Sequence, residues 1–314
     1  VDFLPFLAGD EMAAIKGIVA PILTPFEDDG RIAMALWIDH ARWLLDHGAH
    51  YIAPFGTTGE ALLLSVNDRK RALEGLVNAG IPPRCLTPGT GVVSLEETVD
   101  LTAHATGLGV AMTLVLPSFF YANAPQDGHF RYFETLVRRI ADDRLKICLY
   151  NIPQFSGTPI SPMLDARLSA AFPEAFVAYK DSSGDWQNTL DVIGAAPGMA
   201  VFPGSETFLV QGMANGGAGC ISATVNLNAT AIRNVYERAL SGRDTAQSDC
   251  EIRQFRAVVQ DAGLIGAQKS VLALRSGDAR WLNLRPPLLN GSFELGRRVL
   301  DRLGAAGERV LAGL

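Results

Sequence analysis

Lysine is scarce in this chain of 314 residues: Lys16, Lys70, Lys146, Lys180 and Lys269 are the only five among 27 basic residues. Arginine therefore supplies most of the surface cations, and a lysine set inside an apolar run calls for its own explanation. Cysteine is scarcer still. Cys85, Cys148, Cys220 and Cys250 lie far apart with no C-x-x-C pair, which excludes a zinc ribbon or a dithiol redox motif. Three of them fall in apolar, strand-like runs where thiols act as small hydrophobes, a usage that fits a reducing cytoplasm. There is no excess of positive charge. A formal net charge of −6 excludes the basic stripe expected of a nucleic-acid or anionic-membrane binder.

Other signatures are missing as well. No apolar run approaches the roughly 18 residues a membrane helix needs. The start, Val1-Asp-Phe-Leu-Pro-Phe-Leu-Ala-Gly9, is short, acidic at its head and broken by Pro5, so it does not read as a signal peptide. The chain does not begin with methionine, and its first residues are expected to be a trimmed end. The five histidines (His40, His47, His50, His104, His129) form no H-E-x-x-H or similar cluster and read as surface or packing residues. A P-loop and a G-x-S-x-G elbow are also absent. Metal dependence is not expected, and no cofactor is called for.

What is present is core: 48% of residues are hydrophobic, enough for one large α/β barrel or two ordinary domains rather than a disordered chain. From residue 17 onward, short apolar runs rich in β-branched residues alternate with segments of helical period, the rhythm of consecutive βα units. Eight such runs begin at Gly17, Tyr51, Arg84, Val110, Lys146, Ala175, Met199 and Gly219. Between them stand helix signals, such as Asp68–Val77 after Ser65, the capping-box spacing Ser94-Leu-Glu-Glu97, and Phe130, Phe133, Leu136, Val137 and Ile140 at helical intervals. Beyond the eighth unit, Glu251–Ala262, Lys269–Arg275 and Phe293–Leu303 continue the helical pattern. The expected architecture is an α/β (β/α)8 TIM barrel over residues 17–240, preceded by an extension at 1–16 and followed by a helical domain at 241–314. A doubly wound sheet competes, but its G-x-G-x-x-G turn is missing after the first run, and Gly89 and Gly91 follow the third.

Reacting groups in such barrels sit where strands deliver their C-terminal ends. There the sequence places Gly56-Thr57-Thr58-Gly59-Glu60, Tyr150-Asn-Ile-Pro153, Lys180-Asp-Ser-Ser-Gly184, Gly204-Ser-Glu206 and Ile221-Ser-Ala-Thr224. Lys180 closes the apolar run Ala175–Tyr179. Burial disfavours the charged form of an ammonium group, and the neutral amine is a nucleophile toward carbonyl carbon, which is Schiff-base chemistry. A snorkelling lysine, or one ion-paired to Asp181 or Glu206, is the plainer alternative. Tyr150, at the end of the neighbouring run, could shuttle protons if held against that amine and a threonine hydroxyl, and is otherwise a core tyrosine. Gly56 and Gly59 bracket two hydroxyls and would let the backbone approach a carboxylate, or simply end a strand. Glu60 fits the first turn of a following helix better than a general base.

Taken in order, Gly56-Thr-Thr-Gly-Glu60, Tyr150-Asn-Ile-Pro153 with Gly157, Lys180-Asp-Ser-Ser-Gly184 and Gly219-Cys-Ile-Ser222 resemble the signature set of the dihydrodipicolinate synthase and N-acetylneuraminate lyase superfamily. The spacing agrees from about residue 15 onward. The resemblance implies a (β/α)8 barrel with a C-terminal helical extension, a homo-oligomer (tetramer or dimer), and class I chemistry on pyruvate or another 2-oxo acid. By motif, Lys180 would form the Schiff base and Tyr150 relay protons. Thr57 and Thr58 would be the carboxylate and relay contacts, with Gly204, Ile221, Glu206, Tyr121 and Phe155 around the substrate.

Two departures narrow the expectation. The synthase's carboxylate-clamping arginine is matched by Phe155, and a phenyl ring cannot replace a bidentate guanidinium. In Leu116-Pro-Ser-Phe-Phe-Tyr121, Phe120 falls where the synthase has its intersubunit tyrosine, and Tyr121 stands one step on. The loop resembles instead the type found in aldolases and dehydratases of sugar-derived 2-oxo acids. Sialic acid lyase matches poorly too, with Glu206-Thr207 for its acidic pair and Ala223 for a serine. The expected function is reversible aldol cleavage of a 2-oxo-3-deoxy acid to pyruvate and an aldehyde. The alternatives are a dehydratase or synthase using the same lysine, and a catalytically idle small-molecule-binding barrel.

Overall fold

The computed structural model describes residues 15–121 and 123–313. The reading of Val1–Gly9, and nearly all of the 1–16 extension, lies outside the described residues. In chain order the elements are β1 (Gly17–Ala20), α1 (Met34–Asp46), β2 (Tyr51–Ile52), α2 (Val66–Asn78), α3 (Leu95–Gly107), β3 (Thr113–Val115), α4 (Gln126–Ile140) and β4 (Ile147–Asn151). There follow α5 (Pro153–Ser156), α6 (Pro162–Ala171), β5 (Phe176–Asp181), α7 (Trp186–Ala195), β6 (Ala200–Pro203), α8 (Leu209–Ala214) and β7 (Gly219–Ile221). The chain ends in α9 (Val225–Leu240), α10 (Ala246–Asp261), α11 (Leu264–Ser276), α12 (Phe293–Leu303) and α13 (Ala305–Leu311). Among the described residues no helix is long and apolar enough to cross a membrane.

The helix starts follow local chemistry. Ser65 accepts from Asp68 N and Ser94 from Glu97 N, so each hydroxyl satisfies one of the orphan donors of a first turn. The third apolar run departs from expectation. Pro83–Cys85 is a 3-10 turn, and strand pairing there shrinks to a single bridge, Gly89↔Leu114. Pro82, Pro83 and Pro88 lack the N–H a ladder needs, yet the carbonyls of Leu86 and Pro88 still accept from Ala111 and Leu114. The run therefore keeps a strand's place with only part of its bonds.

Two compact units emerge. One takes in Ile18–Leu64 and Ser222–Leu314, the other Ser65–Ile221. In the first, Leu227, Phe255, Val259, Val271, Trp281 and Val299 form an apolar core among α9 to α12. In the same unit His40 is buried and His50 half-buried, and desolvation pushes both down to about 3, so both are neutral packing groups: His40 Nε2 meets Asn226 Oδ1 at 3.0 Å, and His50 Nδ1 accepts from Ile18 N.

The second unit is built on a parallel sheet in the order β3-β4-β5-β6, with helices packed on one face. Leu149, Tyr179 and Val201 lie on that face with Phe133, Leu136, Leu164 and Val192. Between β4 and β5 the register carries one irregularity: Ile147 pairs with Phe176 but Cys148 with Ala178, leaving Val177 as an extra residue. Side chains alternate along a strand, so this residue reverses which face the rest of β5 presents. Phe176 and Tyr179 both reach the helices, and Lys180 falls on the opposite face with Tyr150, its register partner.

Asp165, on α6, is fully buried with neither carboxylate oxygen hydrogen-bonded, and desolvation pushes it up to about 7 from 3.8. Its sign follows from linkage. Between those values the folded state holds a proton the unfolded state has lost, so stability is greatest at low pH and declines as pH rises toward 7. At about 1.4 kcal/mol per pH unit, the loss between pH 5 and pH 8 is about 2–3 kcal/mol. Asp165→Asn, whose amide mimics the protonated acid, is expected to remove that decline: urea unfolding should show the variant more stable at pH 8 and similar at pH 5. Equal stability of the two proteins at pH 8 would show that the acid is not held protonated by burial.

Candidate functional site

Lys180 is only 4% exposed, near the C-terminal end of β5, and its Nζ stands 4.0 Å from the centroid of the Tyr150 ring at the end of β4. Among the described residues no carboxylate comes within ion-pair distance of that ammonium, which removes the ion-pair reading. The adjacent Asp181 is engaged elsewhere. Its Oδ1 accepts from Asn151 Nδ2 and Ser183 N, both at 3.0 Å, and its Oδ2 from Asn188 Nδ2 at 2.9 Å and Thr189 Oγ1 at 2.8 Å. A buried cation resting on an aromatic face gains from the ring quadrupole in exchange for its hydration.

The end of β6 is drawn against the same strand. Gly204 N donates to Asp181 O at 2.6 Å, and a Cβ at position 204 would lie 2.1 Å from Ser182 Oγ and 2.9 Å from Ser182 Cα. Only glycine allows that approach. Ser205 and Glu206 follow, with Ser205 Oγ accepting from Thr207 N and Glu206 fully buried in a 3-10 turn. Ile221 ends β7 and is buried. Gln154 Nε2 donates to Ser182 O at 2.7 Å, tying the loop after β4 to the loop after β5.

The aromatic residues of the expected outer pocket are open to solvent. Phe155, in α5, is 74% exposed, while Phe120 and Tyr121, in the loop after β3, are 81% and 68% exposed and meet edge-on at 5.5 Å. Phe120 has φ of +72°, a left-handed conformation costly for a bulky residue. The unit thus brings Lys180, Tyr150, Gly204 and the Ser182 loop together and leaves these three rings outside that cluster.

Thr57 and Thr58 belong to the other unit, in the turn after β2, Thr57 exposed and Thr58 buried. Gly59 N donates to Gly56 O and Glu60 N to Thr57 O. Gly59 is needed for packing rather than for a ligand: a Cβ there would lie 2.7 Å from Ile22 O, while Gly56 has ordinary room. Glu60 is neither a first-turn helix residue nor a base. It is left-handed (φ +58°) and buried, with its carboxylate 2.8 Å from Lys269 Nζ and accepting from Arg285 N at 2.8 Å. Lys269 also donates to Thr24 O, and burial pushes it down to about 8 against the opposing pull of Glu60.

Sequence reasoning gave Asn151 no role, weighed Asp181 only as an ion partner of Lys180, and passed over Arg256, whose Nη1 donates to Ser222 Oγ at 3.1 Å. For the first two a signal existed: each directly follows a singled-out residue in its strand, and so faces the other side of the sheet. Arg256 lies 34 residues from its partner, beyond any local pattern.

Comparison with known proteins gives the family. Residues 14–288 match the Dihydrodipicolinate synthetase family. An uncharacterized DapA-like lyase of Chloroflexus aurantiacus is 33% identical over 303 residues, covering 96% of this chain and 99% of its own. The 4-hydroxy-tetrahydrodipicolinate synthase of Agrobacterium fabrum is 27% identical, over 88% of this chain and 92% of its own. Among solved structures, dihydrodipicolinate synthase from Agrobacterium tumefaciens superposes with a TM-score of 0.84 at 30% identity, over 92% of this chain and 98% of that one. A variant of the Sulfolobus solfataricus 2-keto-3-deoxygluconate aldolase also reaches 0.84, over 94% and 98%, at 19% identity, where the likeness speaks for the fold alone. The fold class is the (β/α)8 barrel with a C-terminal helical extension, as the sequence predicts. With the motifs, the parallel sheet and the match across most of its length in agreement, the chain belongs to the dihydrodipicolinate synthetase family, a family of lyases.

Proposed function

We propose that the protein is a class I pyruvate aldolase in which Lys180 forms a Schiff base with a 2-oxo acid and cleaves a 2-oxo-3-deoxy acid, reversibly, to pyruvate and an aldehyde. The observation that carries this is the buried ammonium of Lys180 over the Tyr150 ring, with no carboxylate of the described residues in ion-pair range. The neutral amine attacks C2 of the 2-oxo acid, and loss of water with uptake of one proton gives an iminium. That cation draws the electrons of the C3–C4 bond toward nitrogen as the C4 hydroxyl gives up its proton, releasing an aldehyde and leaving an enamine. Protonation at C3 and hydrolysis then return pyruvate and the free amine.

Tyr150 is the group we assign to moving the proton, with Thr58 as its relay partner and Thr57 as a carboxylate contact. The threonines enter by motif, as do the backbones of Gly204 and Ile221 and the outer positions Glu206, Tyr121 and Phe155. Phe155 in place of an arginine favours a partner without a second carboxylate over the synthase's own substrate. The family resemblance further proposes a homo-oligomer working in the cytoplasm, with the barrel over 17–240 and the helical domain over 241–314.

Incubation with pyruvate and borohydride, followed by intact mass and peptide mapping, tests the reading: one reduced pyruvate per chain on Lys180 is expected. A folded protein that gains no such mass would overturn it. A panel of 2-oxo-3-deoxy acids then separates the activities, since aldol cleavage releases free pyruvate whereas dehydration keeps every carbon in one product.

A further inference from the structure

Behind the catalytic face of the sheet lies a second layer of polar groups, on the side that faces the helices. Asn151 and Asp181 are register partners one step beyond Tyr150 and Lys180, so each pair of neighbours in sequence sends one side chain to each face. Both are buried, within a sheet face otherwise covered by apolar residues. Asn151 Oδ1 accepts from Ile160 N at 3.0 Å, and its Nδ2 donates to Asp181 Oδ1. The Asp181 carboxylate collects four donors: Asn151, the Ser183 backbone, and Asn188 and Thr189 from the first turn of α7. Its main chain is held as firmly, with Asp181 O accepting from Gly204 N and Asn151 O from Ser182 N.

Resting on the Schiff-base reading, we infer that Asp181 is a positioning residue for catalysis: by gathering donors from β4, the loop after β5 and α7, it fixes the end of β5, and so the angle at which Lys180 stands over Tyr150. A buried carboxylate with four hydrogen bonds costs more to move than the apolar contacts around it, because every shift leaves a donor unmatched in a dry environment. The lysine must swing from amine to iminium while the tyrosine keeps reach of C3, a geometry in which displacement of about 1 Å can cost on the order of 10²-fold in rate.

Asp181→Asn tests the idea with little change of shape. The amide nitrogen must face two donors whichever way it turns, and the less costly choice sets it against Asn188 and the rotatable hydroxyl of Thr189. Two readouts separate positioning from mere folding. Borohydride trapping of pyruvate reports iminium formation, and exchange of the pyruvate methyl protons for deuterium in D2O, followed by proton NMR, reports passage to the enamine. In the variant, trapping on Lys180 is expected to go to completion while exchange slows about 10–100-fold at saturating pyruvate, with little change in the pyruvate concentration for half-maximal rate. Adding Asn188→Asp, which restores a donor–acceptor match across the same contact, is expected to recover exchange to within about threefold of the parent.

An unchanged exchange rate in folded Asp181→Asn, or no recovery in the double variant, overturns the inference. Absence of trapping in the parent protein is a different failure, that of the Schiff-base reading itself. Should Asp181→Asn not fold, Thr189→Val removes a single donor to Oδ2, and a fall of about threefold in exchange with full trapping is expected; an unaltered rate there counts equally against the role of Asp181.

Discussion

Lys180→Met is expected to abolish the pyruvate adduct and to lower turnover by about 10⁴-fold or more, while raising rather than lowering thermal stability. The first half follows from the chemistry. Without the amine there is no iminium, and C3 has no electron sink at neutral pH, so the loss is of the covalent route itself and not of one contact along it. Lys180→Arg is expected to fail equally: guanidinium keeps the charge over the Tyr150 ring but offers no neutral nucleophile. The second half follows from burial. A 4%-exposed ammonium with no carboxylate of the described residues in range is a destabilising element, and a methionine of similar volume removes the desolvation cost while keeping the apolar contacts. Calorimetry of Lys180→Met should show a higher Tm, by a few degrees. A variant that lost activity and also unfolded well below the parent would point to Lys180 as a structural residue and weigh against its assignment as nucleophile.

The other large effect concerns the second buried lysine. Lys269→Met is expected to cost about 3–5 kcal/mol of stability, measured by urea unfolding, because it strands the Glu60 carboxylate in a site closed to water. The loss extends past the ion pair. Lys269 Nζ also donates to the carbonyls of Thr24 and Asn283 and sits 4.6 Å from the centre of the Phe26 ring, so three acceptors lose their donor at once. Joining Glu60→Gln to it should return part of the loss, since the amide still accepts from Arg285 N and no unpaired charge remains. A cost below about 1 kcal/mol for Lys269→Met would show that water or another cation serves Glu60 equally well. Because Glu60 ends the Gly56-Thr-Thr-Gly turn, the same variant should also disturb Thr57 and Thr58, and activity is expected to fall further than the remaining folded fraction explains.

These two lysines mark what could be read from the chain. Lys180 stood out because it closes an apolar run directly before a glycine-bearing loop, a contrast visible within ten residues. Lys269 lies in a helix where a lysine every few turns is ordinary, and its burial depends on Glu60, 209 positions away. Caps were legible for the same reason as Lys180: Ser65 and Ser94 act on groups three residues on. The third strand was only half legible. Its apolar composition marked the place, but how many ladder bonds survive its prolines was decided by the neighbouring Ala111–Leu114 segment. The buried Asp165 was missed altogether, for nothing in the local pattern of α6 distinguishes an acid that faces the core from one that faces water.

The extra residue at Val177 makes the face that Lys180 presents a matter of counting. With strict alternation from Phe176, Tyr179 would occupy the open side and Lys180 would be driven into the helices; one added position exchanges them. A deletion in β5 ahead of Lys180 therefore acts through that extra residue: losing one position at Val177 returns the strand to a regular ladder with Lys180 still opposite Tyr150, whereas losing two turns Lys180 toward the helices. A relative one residue shorter between Phe176 and Lys180 is accordingly expected to lack the bulge and to keep its lysine beside the tyrosine, while one shorter by two has the lysine on the wrong side of the sheet.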